Sequence, residues 1–526
     1  MSRDFQLPGR SPVISCGGMA ATSHPLATLT AVDVLRAGGN AVDAAVAATA
    51  VLGVVEPQST GIGGDCFCMI ARPGKPVWGY NGSGRAGAAA STEALIKQGL
   101  TEVGMSVHAV TVPGAIEAWE TILKAHGRFG LDRALAPAIR FAEEGFPVAA
   151  RIADAWARHT SRLAADPGAR RHFLVEGRAP AEGDVIKLPA LAATMKAIAK
   201  KGAKAFYEGD IARDMVDTIR ARGSFLTEQD FSDHRGEVVT PVSTNYRGLD
   251  ILELPPNGQG LTALVLLNIL ENFDMAALDP FGPERFHIVL EAARMAYGVR
   301  DTHIADPAHM RVAVSALIDK AFAKKLAAKI DPARRSALPP KPAPDNDTVY
   351  LSVVDKDRMA VSFINSLYSN FGVGICTEKT GILLTNRGGC FVIDPAHPNT
   401  FGGGKRPMHT IIPALAMRGG RCDMSFGVMG SHFQPMGHAQ IVLNMLDYGM
   451  DVQQAIDAPR FFFEGDQSVV ERGTSAATIA GLKARGHDVA MAGSPWGGGQ
   501  TVKIDWDRGV LIAGSEPRKD GCALGY

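Results

Sequence analysis

Thr348 opens a strand-like run, TVYLSVVD, directly after Asp347 and a proline-rich polar stretch, SALPPKPAPDND. A threonine hydroxyl is a weak nucleophile at neutral pH and needs a base to take its proton. A chain break between Asp347 and Thr348 would supply one, because an α-amino group titrates near ~7.7–8 and hydroxyl and amine then act as serine and histidine do elsewhere. The same hydroxyl, attacking the carbonyl before it, gives an N-to-O acyl shift and an ester that water resolves. No outside protease is needed for that cut. Against this stands the ordinary fate of a threonine at a strand start, which is to pack or to hydrogen-bond.

Arg85 sits in a Gly-Ser-Gly loop just past a strand. Its planar fork of donors suits a carboxylate, and a surface ion pair is the plain alternative. His432 and His438 invite a metal reading, but no third ligand has helpful spacing, so the expectation is two structural histidines and no metal. Cys66 and Cys68 share one face of a strand, and two thiols alone make no zinc site. Gly61-Ile62-Gly63-Gly64 and Gly402-Gly403-Gly404-Lys405 fit neither phosphate-loop pattern and read as tight turns, so no nucleotide and no other cofactor is expected.

The elements that must position these residues fall into two halves. Asn40 caps AVDAAVAATAVLGVV, whose small side chains suit close packing against a sheet. EPQSTGIGGDCFCMIA is a glycine-rich turn running into an alternating strand, and VWGYNG is a second strand. Helical periodicity dominates 113–222 and returns over 260–328. After Thr348 the period changes to two: TVYLSVVD and MAVSFINSL predict a hairpin across DKDR. GILLTN, TIIPALAM, CDMSFGVMG and QTVKID predict further strands, interrupted by a helix over 438–448. Helices first and strands after argue for α+β or a layered sandwich over alternating βαβ units.

The bulk composition narrows the partners. At 526 residues, with 46% hydrophobic and 21% charged residues, the chain buries a large core. Its 54 basic and 54 acidic residues cancel, and no cluster of Lys and Arg tracks a phosphate backbone, so nucleic acid is not an expected partner. No apolar run approaches the ~20 residues needed to span a bilayer, so no membrane is expected either. The first twenty residues lack an apolar run of the signal-peptide type, and the seven cysteines are dispersed, with no C-x-x-C pair; a cytoplasmic location is expected.

The block GMAATSHPLATLTAVDVLRAGGNAVDAAVAATAVLGVVEPQSTGIGGD, the segment DTVYLSVVDKD, the GKRPMHT turn and the ending SEPRKDGCALGY together resemble the gamma-glutamyltranspeptidase family, in the right order over 18–526. The resemblance implies a four-layer αββα sandwich of the N-terminal-nucleophile hydrolase type. It also implies a large subunit, 1–347, and a small subunit, 348–526, cut from one precursor at Asp347–Thr348, and allows a dimer of such heterodimers. Thr348 matches the family nucleophile, Ser366 a second threonine that hydrogen-bonds it, and Arg85 an arginine that clamps the substrate's α-carboxylate. The oxyanion-hole glycines fall at Phe433 and Gln434, where backbone N–H groups do not require glycine.

Several substrate-gripping positions depart from the pattern. The Gln and Asp that hold a γ-glutamyl ammonium fall at Arg387 and Cys390, paired serines become His409 and Thr410, and an asparagine becomes Tyr368. The 391–405 loop is shorter than in members with a lid. Such features resemble the cytoplasmic branch that includes cephalosporin-acylase-like and oxamate-amidohydrolase-like proteins. With Arg387 facing the α-position, an α-ammonium meets positive charge, which favours an amide whose acyl group carries a carboxylate, such as glutaryl, succinyl or oxalyl. A conventional γ-glutamyl transferase or glutathione hydrolase, and an unprocessed binding protein on the same fold, remain the alternatives.

Overall fold

The computed structural model describes residues 9–337 and 348–526; Asp347 and most of the proline-rich stretch lie outside the described residues. Two seven-stranded antiparallel sheets face each other. One runs Val13–Ser15, Val510–Ser515, Gly498–Asp505, Arg421–Met429, Ala414–Arg418, Leu249–Glu253, Val242–Tyr246. The other runs Cys522–Gly525, Met19–Thr22, Val349–Val354, Ala360–Ser366, Asp65–Ala71, Trp78–Gly82, Glu237–Val239.

Period-two alternation sorts each strand's side chains between two cores. From the second sheet, Phe67, Met69, Tyr350 and Ile364 point at the first and meet Leu415, Val502, Ile504 and Leu511. Their neighbours Cys66, Cys68, Val349, Leu351, Val353 and Phe363 point the other way, into a helical layer that includes Ala41–Val55, Ala115–His126 and Leu131–Glu144. Across the molecule Gly260–Leu270, Pro283–His303 and Gln434–Leu446 cover the far face of the first sheet, against Ala416, Met424, Phe426 and Val428. The result is the αββα sandwich, and each fully buried Leu, Val or Phe in it contributes about 1.5–3 kcal/mol.

Ala41–Val55 is buried on every side, which is why its sequence is Ala and Val without a polar face. Asn40 caps it, accepting from the Val42 and Asp43 amides, while Asp43 accepts the Asn40 amide at 2.8 Å. Asp355 accepts the Ala41 amide at 3.0 Å and so ties the helix start to the end of the Val349–Val354 strand. The hairpin forms in the expected register, Val349 opposite Asn365 through Val354 opposite Ala360.

One expected strand is absent. GILLTN is a buried irregular segment, held by single bonds such as Thr385 N–H to the Gly63 carbonyl at 3.0 Å and Leu384 N–H to the Ile375 carbonyl at 3.1 Å. The segments before and after residue 348 are not separate globular bodies, because both sheets mix strands from each.

Candidate active site

The hairpin register sets Thr348 next to Ser366: Val349 pairs with Asn365, and the residues one step outward bring their hydroxyls to 3.0 Å. Both side chains are fully buried. Ser366 Oγ also accepts the Tyr368 amide at 2.8 Å, so the chain reversal after the strand fixes the serine rotamer. In the uncut chain the nitrogen of Thr348 is an amide, and cleavage converts it to an amine on the same residue as the hydroxyl.

On the other side of Ser366 the register partner is Asp65. This buried carboxylate accepts the Gly84 and Gly114 amides, each at 3.1 Å, and the His409 Nε2–H at 3.0 Å. The His409 tautomer follows from its neighbours: Nδ1 accepts the Ile411 amide, so the proton sits on Nε2. Burial, with Arg387 nearby, pushes the His409 imidazole down to about 3, so it stays neutral and acts as an orienting donor. The glycine-rich turn before Asp65 is a close-approach element. A Cβ on Gly64 would come within 2.2 Å of the Ser366 carbonyl oxygen, and one on Gly63 within 2.0 Å of that of Leu383.

Arg387 is the unusual group. It lies in the short 3-10 turn Arg387–Cys390 with no exposed surface. Its Nη1 donates to Thr410 Oγ1 at 2.6 Å and lies 4.0 Å from Cys390 Sγ, and its guanidinium carbon sits 4.3 Å from the Tyr368 ring centre. Nε and Nη2 are buried without a hydrogen-bond partner, and among the described residues no carboxylate stands within ion-pair distance. Those two N–H groups form the parallel edge of a guanidinium, the one that takes a carboxylate in two hydrogen bonds. Leaving such an edge unpaired in a dry interior is costly.

Tyr368 packs against this cation with its φ at +80°, in the left-handed region. Its hydroxyl lies 3.2 Å from His432 Nε2, and His432 Nδ1 takes an N–H of Arg300 at 2.8 Å. Arg300 Nη1 also donates to Gln259 Oε1 at 2.8 Å, and Gln259 donates to the Thr410 and Ser431 carbonyls. Burial, reinforced by Arg300, holds His432 well below its usual range. The imidazole is therefore neutral, with its proton on Nε2 facing the tyrosine oxygen.

Thr348, Ser366, Tyr368, Arg387, Cys390, Thr410 and His409 thus form one contiguous cluster. Two expected roles fall on groups that already have partners. Arg85 has its guanidinium engaged with Glu237 at 3.1 Å, Asp306 at 3.3 Å and the Gly404 carbonyl at 3.0 Å, with its side chain 37% exposed. Two carboxylates already occupy the fork, so the surface ion pair is what this geometry contains. Phe433 donates its amide to the Gly430 carbonyl at 2.9 Å and Gln434 donates its own to the Ser431 carbonyl, so both amides expected at the oxyanion are already engaged in this turn. Gln434 is buried at the start of its helix, where its side chain accepts the Ile412 amide at 3.0 Å.

His438 bonds Glu253 at 2.7 Å and accepts the Val428 amide, 3.3 Å away. Asp65, Arg300 and Gln259 were not singled out from sequence. Only Asp65 carried a signal there, as the acidic residue closing a glycine-rich turn at a strand start.

A buried threonine at the head of a central strand, paired with a hydroxyl inside an αββα sandwich, defines an N-terminal-nucleophile hydrolase. Comparison with known proteins agrees. The gamma-glutamyltranspeptidase family model matches residues 27–526. The chain is 39% identical to the glutathione hydrolase-like YwrD proenzyme of Bacillus subtilis (strain 168), over 98% of this chain and 99% of that protein. It is 35% identical to the oxamate amidohydrolase proenzyme of Klebsiella pneumoniae subsp. pneumoniae, again over 98% and 99%. A cephalosporin acylase from Bacillus halodurans superposes with a TM-score of 0.93 at 37% identity, over 100% of this chain and 99% of that one.

The chain belongs to the gamma-glutamyltranspeptidase family, and it is an enzyme, an N-terminal-nucleophile hydrolase. Its relatives are proenzymes, which implies processing into subunits. No helix among the described residues is long and apolar enough to cross a membrane.

Proposed function

We propose that the chain cuts itself between Asp347 and Thr348, and that the mature enzyme hydrolyses a small amide whose acyl group carries a carboxylate, of the glutaryl, succinyl or oxalyl type. In the first reaction Thr348 Oγ adds to the Asp347 carbonyl, and the peptide C–N bond breaks as the nitrogen takes the hydroxyl proton. Water then splits the ester into the Asp347 carboxylate and a free Thr348 hydroxyl. In turnover the Thr348 amine takes the hydroxyl proton as Oγ attacks the substrate carbonyl, then passes it to the departing amine. Water hydrolyses the acyl-enzyme by the same route. No cofactor enters either reaction.

Ser366 holds the nucleophile's rotamer. Thr410 and Tyr368 hold Arg387, His409 braces the turn beneath it, and Cys390 lies beside the guanidinium. The observation that carries the substrate class is the empty Nε–Nη2 edge of Arg387. All seven cysteines are free, which supports a reducing compartment such as the cytoplasm.

The likeness to a glutathione hydrolase-like protein favours a second reading, a γ-glutamyl donor. Measuring kcat/KM of the wild-type enzyme on glutaryl and γ-glutamyl anilides separates the two. The first reading requires the glutaryl compound to lead, and a lead for the γ-glutamyl compound establishes the second.

A further inference from the structure

Attack by Thr348 on an amide carbonyl puts negative charge on an oxygen in a dry interior, and that oxygen needs hydrogen-bond donors. The main-chain amides of Phe433 and Gln434 are taken within their own turn. The Gln434 side chain has a donor to give. It is fully buried, and its Nε2 has no hydrogen-bond partner among the described residues. Its orientation follows from its one bond: the Ile412 amide donates to it at 3.0 Å and requires an oxygen, so Oε1 is the held end and the N–H groups are the open one.

The segment 409–412 carries this carboxamide to the reaction centre. His409 bonds Asp65, the register partner of Ser366. Thr410 Oγ1 accepts from Arg387, and Ile412 holds Gln434. One short stretch thus joins the nucleophile's hairpin, the open guanidinium and the open carboxamide. Gln259 Nε2 donates to the Thr410 and Ser431 carbonyls, each at 2.8 Å, and so locks the segment to the turn that bears Gln434. Pro435 follows in the first turn of the helix and fixes the backbone there.

A buried N–H without an acceptor destabilises the empty site. A side chain held at one end and open at the other is also preorganised, since nothing has to turn as charge develops. We infer that Gln434 is a catalytic residue, whose Nε2–H donates to the oxyanion formed when Thr348 attacks. This rests on Thr348 as the nucleophile, as read above. In that step the Thr348 Oγ–C bond forms, the carbonyl pair moves onto oxygen beside Nε2–H, and the hydroxyl proton goes to the Thr348 amine. The pair returns as the C–N bond breaks, and the leaving amine takes the proton. Gln434 loses none of its own.

The test compares wild type with Gln434→Met and Gln434→Glu on the glutaryl anilide, with rates expressed per chain divided at 347–348 by intact mass. Methionine removes both ends of the carboxamide. Glutamate keeps an oxygen for the Ile412 amide and removes only the donor, so it answers for methionine if that variant misfolds. Both are expected to lose about a hundred- to a thousandfold in kcat, with KM of the methionine variant within about threefold of wild type. The methionine variant should also bind the boronic acid analogue of glutarate, whose Thr348 adduct imitates the tetrahedral intermediate, at least about tenfold more weakly, while free glutarate still raises its Tm as in wild type. A glutamate variant as active as wild type overturns the proposal, because bracing Ile412 is then the whole role. A methionine variant with raised KM and unchanged kcat overturns it too, since the side chain then grips the substrate, and so do variants that stay undivided, since maturation is then the step that needs Gln434. A wild type that prefers the γ-glutamyl anilide changes the substrate reading alone, and the comparison is then made on that compound, because an oxyanion donor is indifferent to the acyl group.

Discussion

Replacing Arg387 with glutamine tests the substrate reading where its energy is concentrated. The Arg387 edge offers two charge-assisted hydrogen bonds to a carboxylate in a fully buried setting, and losing them costs about 3 kcal/mol of transition-state binding, or ~150-fold in kcat/KM at 1.36 kcal/mol per decade. A glutaryl anilide has only that carboxylate to lose. A γ-glutamyl anilide loses the same contact, but its α-ammonium is also relieved of a guanidinium, worth about 3 kcal/mol at ~5 Å and an effective dielectric near ~20. For that substrate the two changes nearly cancel.

Arg387→Gln is therefore expected to shift the glutaryl to γ-glutamyl ratio of kcat/KM by about two orders of magnitude toward the γ-glutamyl compound. Steady-state release of the anilide leaving group at both substrates, on fully matured protein, measures it. A ratio unchanged within threefold refutes the reasoning, whatever happens to the absolute rates. Free glutarate should also raise the Tm of wild type and leave that of the variant unmoved, since only an anion bound to the folded state stabilises it.

Thr348→Ala is expected to remain one chain of 55.6 kDa by intact mass, whereas wild type yields two fragments divided at Asp347–Thr348; a divided variant removes Thr348 as the nucleophile. Arg85→Ala should change kcat/KM by less than about threefold, because its guanidinium serves partly exposed ion pairs of the kind worth ~0–1 kcal/mol; a hundredfold loss restores it as a substrate clamp. Acid should destabilise the protein early. Burial holds His409 and His487 down to about 3 and His24 and His234 to about 4. Unfolded, these imidazoles take up protons below ~6.5, so the unfolded state binds more, and each histidine's contribution, complete above that pH, falls by about 1.4 kcal/mol per pH unit on the way down to its folded value. Scanning calorimetry should find Tm falling steeply between pH 6.5 and 4.5, and a flat Tm there contradicts the assignment of neutral buried rings.

The layered fold was legible because its signals are local and repeated. Asn40 before an Ala and Val run, and period two on both sides of DKDR, each name an element and its face. GILLTN misled because three apolar residues between Gly and Thr-Asn satisfy a strand pattern, while its actual partners are an irregular reversal over 373–377 just before it and the distant Gly63, with no continuous strand ladder. The site divides in the same way. Thr348 stood out by its setting and Ser366 only through the family resemblance; the hairpin register then brings their hydroxyls together. Arg85 and Arg387 look alike as letters, and only the three-dimensional neighbourhood tells a guanidinium held by Glu237 and Asp306 from one with an empty edge. Phe433 shows the same limit, since an amide's availability depends on whether a nearby carbonyl, here that of Gly430, has already taken it.

The mixed strand order gives the cut a direction in time. Val349–Val354 is flanked by Met19–Thr22 and by Ala360–Ser366, and Val510–Ser515 by Val13–Ser15 and Gly498–Asp505. A precursor can lay these strands together as one chain, with every partner tethered. Two products of the proposed cut would inherit a sheet that neither half is able to rebuild alone, and their reunion after unfolding would be a bimolecular search with unpaired strand edges exposed. On the proposed self-cleavage, processing would turn a reversible fold into a persistent one, kept by the slowness of its opening, and would bind the gene to a single reading frame for a two-chain product.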